Sequence, residues 1–364
     1  MKRQFKILTL LLVVPTLMLA AANPKFKGKH TKEKKINKEY TVASDATVAI
    51  DNSYGNVDIV TWNENRVVIE VLIRTNGNNE EKVMDRLNDI NVDFEASNSR
   101  VSAETTFNGK KNSSWNFWGK NKNNNVKMEI NYSIKMPASN SVDLDNSYGA
   151  ISLNELNGNA SISCDYGQLN IGDLNGDQNS LNFDYTNSST IGYMKNGSIN
   201  ADYSNFTLER TGALDLNADY TNSEILQAVS VNYNCDYGKL KVGSVNNVDG
   251  RGDYIPLRVG TLNGDLTVNS DYGSITVETI SSNGGDISIS SDYAGIKLGY
   301  SSSYHFDFNV ELSYAGLSGK DDLEMTHSHS SNNKKSYKGY HGSKGSGNNI
   351  TINSSYGGVS IKKN

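Results

Sequence analysis

Ser163-Cys164-Asp165-Tyr166-Gly167-Gln168-Leu169-Asn170-Ile171 decides the fold, because it is one copy of a figure that recurs along the chain. A Tyr preceded by Asp or Ser stands at Tyr54, Tyr148, Tyr166, Tyr185, Tyr203, Tyr220, Tyr237, Tyr254, Tyr272, Tyr293, Tyr314 and Tyr356. From Tyr148 to Tyr272 the spacings are 18, 19, 18, 17, 17, 17 and 18 residues; then come 21, 21 and 42, the last being twice 21. A short fixed period means one structural unit stacked on copies of itself.

Counted from each Tyr, apolar residues stand at −6 and −4, as Val142 and Leu144 or Leu214 and Leu216. They return at +3 and +5, as Leu169 and Ile171 or Ile275 and Val277. Alternation by two is the period of a strand with one buried face. The phase changes between the Tyr and +3, so the chain must bend there. Gly at +1 in six copies suits a positive φ or a tight turn. A third apolar point follows near +8, as at Leu156, Leu174 and Leu262. Each unit is too short for a βαβ crossover. The expected fold is mainly β: a parallel β-solenoid of about 10–12 short coils, 17–21 residues each, roughly 50–60 Å long at ~4.8 Å per strand.

The rest of the chain divides around this array. Residues 1–22 read as a signal peptide, with Lys2, Arg3 and Lys6 ahead of the apolar run Ile7 to Leu19 and then Ala20-Ala21-Ala22. The run is short for a membrane span, so no transmembrane segment is expected once the signal is removed. Residues 23–40, with seven lysines against Glu33 and Glu39, read as a basic disordered leader able to touch an anionic envelope surface. Residues 41–137 hold the first coil and an α+β cap, with one helix over 79–90 capped by Asn79. Coils fill 138–318. Residues 319–349, rich in Ser, Lys, Gly and His, read as a flexible loop, and 350–364 as a terminal coil whose lysines blunt the last edge. The net charge of −5 and the absence of a basic patch in the repeats argue against nucleic acid. An exported location follows: periplasm, outer surface or extracellular.

Ser53-Tyr54-Gly55-Asn56-Val57-Asp58-Ile59 with Trp62, then Met136-Pro137 leading to Leu144-Asp145-Asn146-Ser147-Tyr148-Gly149-Ala150-Ile151, resembles the bacterial "putative adhesin" family of exported proteins of unknown function. The likeness covers essentially the whole chain after the signal. It implies a β-solenoid and an envelope location, and it brings no catalytic or ligand residues with it.

Candidate chemistry is weighed against the repeat itself. Asp165, Asp184, Asp202, Asp219, Asp236, Asp253, Asp271 and Asp292 precede Tyr in eight consecutive copies. The plain reading is a turn-fixing carboxylate that accepts the N–H at +1 or +2. Calcium binding and acid/base catalysis are the sharper ones, but eight identical sites lack the unequal pair that catalysis needs. By strand parity the tyrosines should point inward and stack, with an outward aromatic strip for sugars as the alternative. Cys164 and Cys235 share position −2 four coils apart, roughly 19 Å along the axis and too far for a disulfide. Arg251-Gly252-Asp253 spells an integrin-type tripeptide but falls on repeat positions. His327, His329 and His341 could hold a metal weakly. Trp115, Phe117 and Trp118, between lysines in a polar loop, have no place in the repeat and are the candidate contact for a protein or glycan partner. No catalytic, cofactor or metal site is expected. The function implied is a non-enzymatic adhesin or scaffold, with a glycan-binding or glycan-active protein as the alternative.

Overall fold

A computed structural model describes residues 26–107 and 126–364. The segments 1–22 and Trp115, Phe117 and Trp118 lie outside the described residues. The described chain is mainly β, with one α-helix, Glu80–Asp89. The alternating residues pair in the way their period implies. Ala160–Asp165 lies parallel to Ser141–Ser147 on one side and to Asn179–Asp184 on the other. After the corner, Gln168–Leu174 lies parallel to Ala150–Leu156 and to Ser189–Asp202. Equivalent positions face each other: Leu169 pairs with Ile151, and Ile171 with Leu153 and Ile191. The buried rows belong to one continuous apolar core. It includes the +8 row (Leu156, Leu174, Met194, Val245, Leu262) and both free cysteines.

The rows are not uniform, and one irregularity is matched. Tyr233 takes a −4 position held by Leu, Ile or Val in ten of the other eleven copies, and its ring is buried. One repeat on, that position is Gly250, where a Cβ would lie 2.1 Å from Tyr233 Cδ1. The glycine is the space the ring fills.

At the N-terminal end, Asn52 and Asn146 occupy the −2 row and are buried. They satisfy each other: Asn52 Nδ2 donates to Asn146 Oδ1 at 3.0 Å and to the Ile130 carbonyl at 3.1 Å, while Asn146 Nδ2 donates to the Gly55 carbonyl at 3.0 Å. This network ties the first repeat to the 94-residue interruption. Within that interruption, Arg66–Gly77 runs antiparallel to Lys127–Pro137, and Ile90–Ala96 antiparallel to Arg100–Phe107. Asn79 caps the helix as expected, its side chain accepting from the Lys82 N–H at 3.0 Å.

Three expectations are corrected. Residues 23–40 are not a disordered leader through their length, since His30–Thr41 is a strand paired residue for residue with Arg66–Gly77. Lys35 and Lys38 are exposed and Lys32 and Lys34 half-buried, and Lys32 and Glu33 reach Glu80 and Arg74. Residues 319–349 are not a flexible loop but contain a hairpin, Glu324–Ser331 against Lys334–His341, turned at Asn332 with φ 47°. The last repeat is also not the last layer. Asn349–Ser355 enters between Ile287–Asp292 and Phe306–Ser313, parallel to both, while Val359–Lys363 pairs with Gly295–Tyr300 and, at Val359 and Ser360 alone, with Leu317–Ser318.

Gly250→Ala is expected to cost about 1–3 kcal/mol through overpacking against the Tyr233 ring. Adding Tyr233→Leu should recover most of that loss. Denaturant midpoints of the two single variants and the double variant measure it; additive losses would show that ring and glycine are not coupled.

Candidate functional site

Every one of the twelve repeat tyrosines has φ between 51° and 66°. This is the left-handed region, which costs a non-glycine residue about 1–2 kcal/mol. Parity counting assumes an extended backbone, and here the backbone reverses at the Tyr itself. The rings therefore point outward, and the expectation that they lie inward is corrected. From Tyr148 to Tyr356 eleven of them are 45–57% exposed. The positive φ belongs to the Tyr and not to the following Gly. Gly149 and Gly167 serve a different need: a Cβ there would sit 1.8 and 2.0 Å from the carbonyl oxygen of the repeat before.

The rings form one stack in the order 54, 148, 166, 185, 203, 220, 237, 254, 272, 293, 356, 314, with centroids 4.6–5.2 Å apart and planes within 9° of parallel. Phe107 meets Tyr54 edge-on at 6.2 Å. Because each inner ring has a neighbour on both faces, what the strip presents to solvent is ring edges and phenol hydroxyls. Partial burial, followed by the charge that neighbouring phenolates would carry, holds the phenols of Tyr166, Tyr237 and Tyr272 above the ordinary tyrosine range.

Beside the rings runs the Asp row, and its hydrogen bonds correct a second expectation. The carboxylates do not close their own turn. From Asp184 to Asp271 each reaches the next repeat: Asp184 Oδ1 accepts from the Asp202 N–H at 3.0 Å, Asp219 from Asp236 at 2.9 Å, and Asp236 from Asp253 at 2.7 Å. The Tyr N–H donates to the backbone carbonyl of the same next-repeat residue, as Tyr203 to Asp219 at 3.0 Å. Two positions outward, Asn200 donates to Asn182 and Asn217 to Asn200, at 2.8 and 3.1 Å. Between the two rows lies a shallow groove of about 490 Å³ floored by Phe183, Ala201 and Ala218.

The remaining candidates fall back into the fold. Arg251 donates through Nε to Asn234 Oδ1 at 3.0 Å, Gly252 is buried and Asp253 belongs to the carboxylate row, so the tripeptide does not protrude. Burial pushes the Cys164 and Cys235 thiols up to about 12. His341 bonds the Tyr304 carbonyl through Nδ1 at 2.8 Å and stacks on Phe306, whereas His327 and His329 lie on the exposed edge strand. Among the described residues no three His, Cys, Asp or Glu side chains group as a metal site.

Desolvation, then the charge of Asp184, raises the Asp165 carboxyl above the usual range, against the opposing pull of the Asp184 N–H. A raised carboxyl means the fold binds that proton more tightly than the unfolded chain does. Stability from this group is present at low pH and is lost as pH rises through the folded value. Asp165→Asn, which keeps an acceptor oxygen, should therefore raise Tm at about pH 7, with the gain disappearing near pH 3. Thermal melts of both proteins across that range would show a pH-independent difference if this account is wrong.

No protein-family model matches the chain, and no curated protein matches it. Solved structures do. A putative cell adhesion protein from Clostridium sporogenes is 14% identical over 92% of this chain and 100% of its own, at a TM-score of 0.18. Putative adhesins from Bacteroides fragilis and Parabacteroides distasonis are 12% and 10% identical, each over 91% of this chain and 97% of their own, at TM-scores of 0.26 and 0.30. Among the described residues no helix is long and apolar enough to cross a membrane.

Proposed function

We propose that this chain is an exported, non-enzymatic β-solenoid, covered at its N-terminal end by the segment 41–137, that acts as an adhesin or scaffold by presenting a repetitive flank. The observation that carries the reading is the uniformity of the strip: eleven half-exposed tyrosines in register beside a row of like carboxylates. A catalytic centre needs groups made unequal by their surroundings. A surface that binds or aligns an extended partner needs the reverse, the same contact offered many times, since linked weak contacts sum to avidity. Ring edges and hydroxyls suit a hydroxyl-rich polymer or a protein surface better than face-on stacking of sugars, because the ring faces are taken up by neighbouring tyrosines.

The test uses purified protein with a panel of insoluble polysaccharides and an isolated bacterial envelope fraction. Co-sedimentation without release of sugar ends is the expected result. Changing Tyr203, Tyr220 and Tyr237 to Asn, which tolerates the left-handed backbone, should weaken it by ~10-fold or more. Sugar release abolished by Asp184→Ala alone would overturn the non-enzymatic reading in favour of a glycan-active protein. Binding that survives the Tyr changes but is lost, at unchanged Tm, on replacing Trp115, Phe117 and Trp118 by Ser would move the contact to those aromatics.

A further inference from the structure

The two ends of the flank that precedes the tyrosines each finish in a strand that, among the described residues, pairs on one side only. At the N-terminal end this is Ile90–Ala96, bonded to Arg100–Phe107; at the C-terminal end it is Glu324–Ser331, bonded to Lys334–His341. Eight successive exposed residues on the latter form an open edge of the kind that recruits another strand. The directions of these strands are set by the pairings. Arg100–Phe107 runs with the repeats, so Ile90–Ala96 runs against them. Phe306–Ser313 runs with the repeats, Lys334–His341 against, and Glu324–Ser331 with them again. A second copy aligned on the same axis would thus offer its N-terminal edge antiparallel to the C-terminal edge of the first, the pairing that needs no crossover.

Register can be read in the same way. Asp93 pairs with Glu104, which pairs with Asp51, position −3 of the first repeat. His329 pairs with Ser336, which pairs with Glu311, position −3 of the Tyr314 repeat. Glu95 likewise traces through Ser102 to Ala49, and His327 through Lys338 to Asn309, all at −5. Continuing each row straight across the joint sets His329 opposite Asp93 and His327 opposite Glu95. Both pairings satisfy one antiparallel register, and all four side chains are exposed.

We propose that copies of this chain join head to tail through these two edges, with the His327/His329 edge of one against the Asp93/Glu95 edge of the next. Such a joint is heterologous and does not close, so it extends into a filament and not a fixed oligomer. Like edges reject each other, since Asp93 and Glu95 stand beside Glu104, and His327 and His329 beside Lys334, Lys335 and Lys338, with Asp292, Glu311 and Glu324 the opposing charges around them. On the N-terminal edge Lys34 reaches the Ile90 carbonyl and Lys38 lies over the Phe94 ring, while Thr106 donates to Asp93. Histidine is the side chain that gains charge between about pH 8 and 5, so the joint should strengthen on acidification.

Sedimentation of the untagged protein at about pH 5.5 and 7.5 tests this. The expected result is a weight-average mass at the lower pH that climbs with concentration past the dimer. Asp93→Lys with Glu95→Lys in one variant, and His327→Glu with His329→Glu in another, should each remain monomeric with unchanged melting. An equimolar mixture of the two variants should assemble again, because every joint in it is complementary. A monomer at both pH values overturns the proposal. So does assembly that persists in either variant alone, which would place the contact on the tyrosine strip or elsewhere, and so does a mixture that stays monomeric.

Discussion

The left-handed tyrosine is the constraint on which the rest depends. Twelve times the chain leaves one sheet face and enters the next through a residue whose own steric preference opposes that turn. Glycine would adopt it freely, yet the repeat keeps Tyr. The stack accounts for this choice. Parallel aromatic pairs contribute about 0.5–1.5 kcal/mol beyond their burial, a magnitude comparable to the strain at each rung. The strain is local to each rung, whereas the offset exists only between rungs. A single repeat has the penalty without the compensation, which is one reason the unit is stable only as an array.

The carboxylate row obeys the same logic with different forces. Neighbouring charges about 5 Å apart repel by about 0.8 kcal/mol in water. A hydrogen bond from a backbone N–H to a charged acceptor contributes roughly 1.5–3 kcal/mol, so the bond from the next repeat outweighs the repulsion. From Asp184 to Asp271 each Asp thereby satisfies the N–H of its counterpart one repeat on. Where the row begins, Asp165 is followed by a charged neighbour and preceded by Ser147, and desolvation with that one-sided repulsion raises its carboxyl.

The period, the alternation, the paired rows and the helix cap were legible in the residues because each is a direct consequence of side-chain spacing. The direction of the tyrosines was not, since a parity count carries no information about a residue that breaks parity. A signal was nonetheless present: a bulky aromatic invariably beside Asp or Ser, with small residues after it, marks a corner and not a strand interior. The basic segment was misjudged on charge. Its alternation puts Lys32, Lys34 and Lys38 on the face of Ile36 and Tyr40, where Lys34 reaches the Ile90 carbonyl and Lys38 the Phe94 ring, and the partner strand 36 residues on supplies what charge alone hides. The hairpin at 324–341 was invisible for the opposite reason: one of its strands buries nothing, so no apolar rhythm exists to be read.

The spacing of 42 between the last two tyrosines has its explanation in space and not in sequence order. Tyr356 stacks between Tyr293 and Tyr314, at 4.7 and 4.6 Å. The repeat that ends the chain therefore occupies a layer that the chain passed over earlier. Phe306–Ser313 cannot complete its pairing toward the stack until Asn349–Ser355 arrives, and the hairpin between them is the excursion that makes the return possible. Closing that loop costs entropy that grows only slowly with its length, so a 35-residue detour is tolerable. What it gains is a layer held on both sides by parallel partners, with the hairpin left as the outermost edge. The terminal residues are in this way locked into the array, and the exposed pairing capacity is transferred to Glu324–Ser331. An array built of interchangeable rungs thus ends in two edges that differ from the rungs and from each other. Uniformity along the flank and asymmetry at its ends are properties of the same topology.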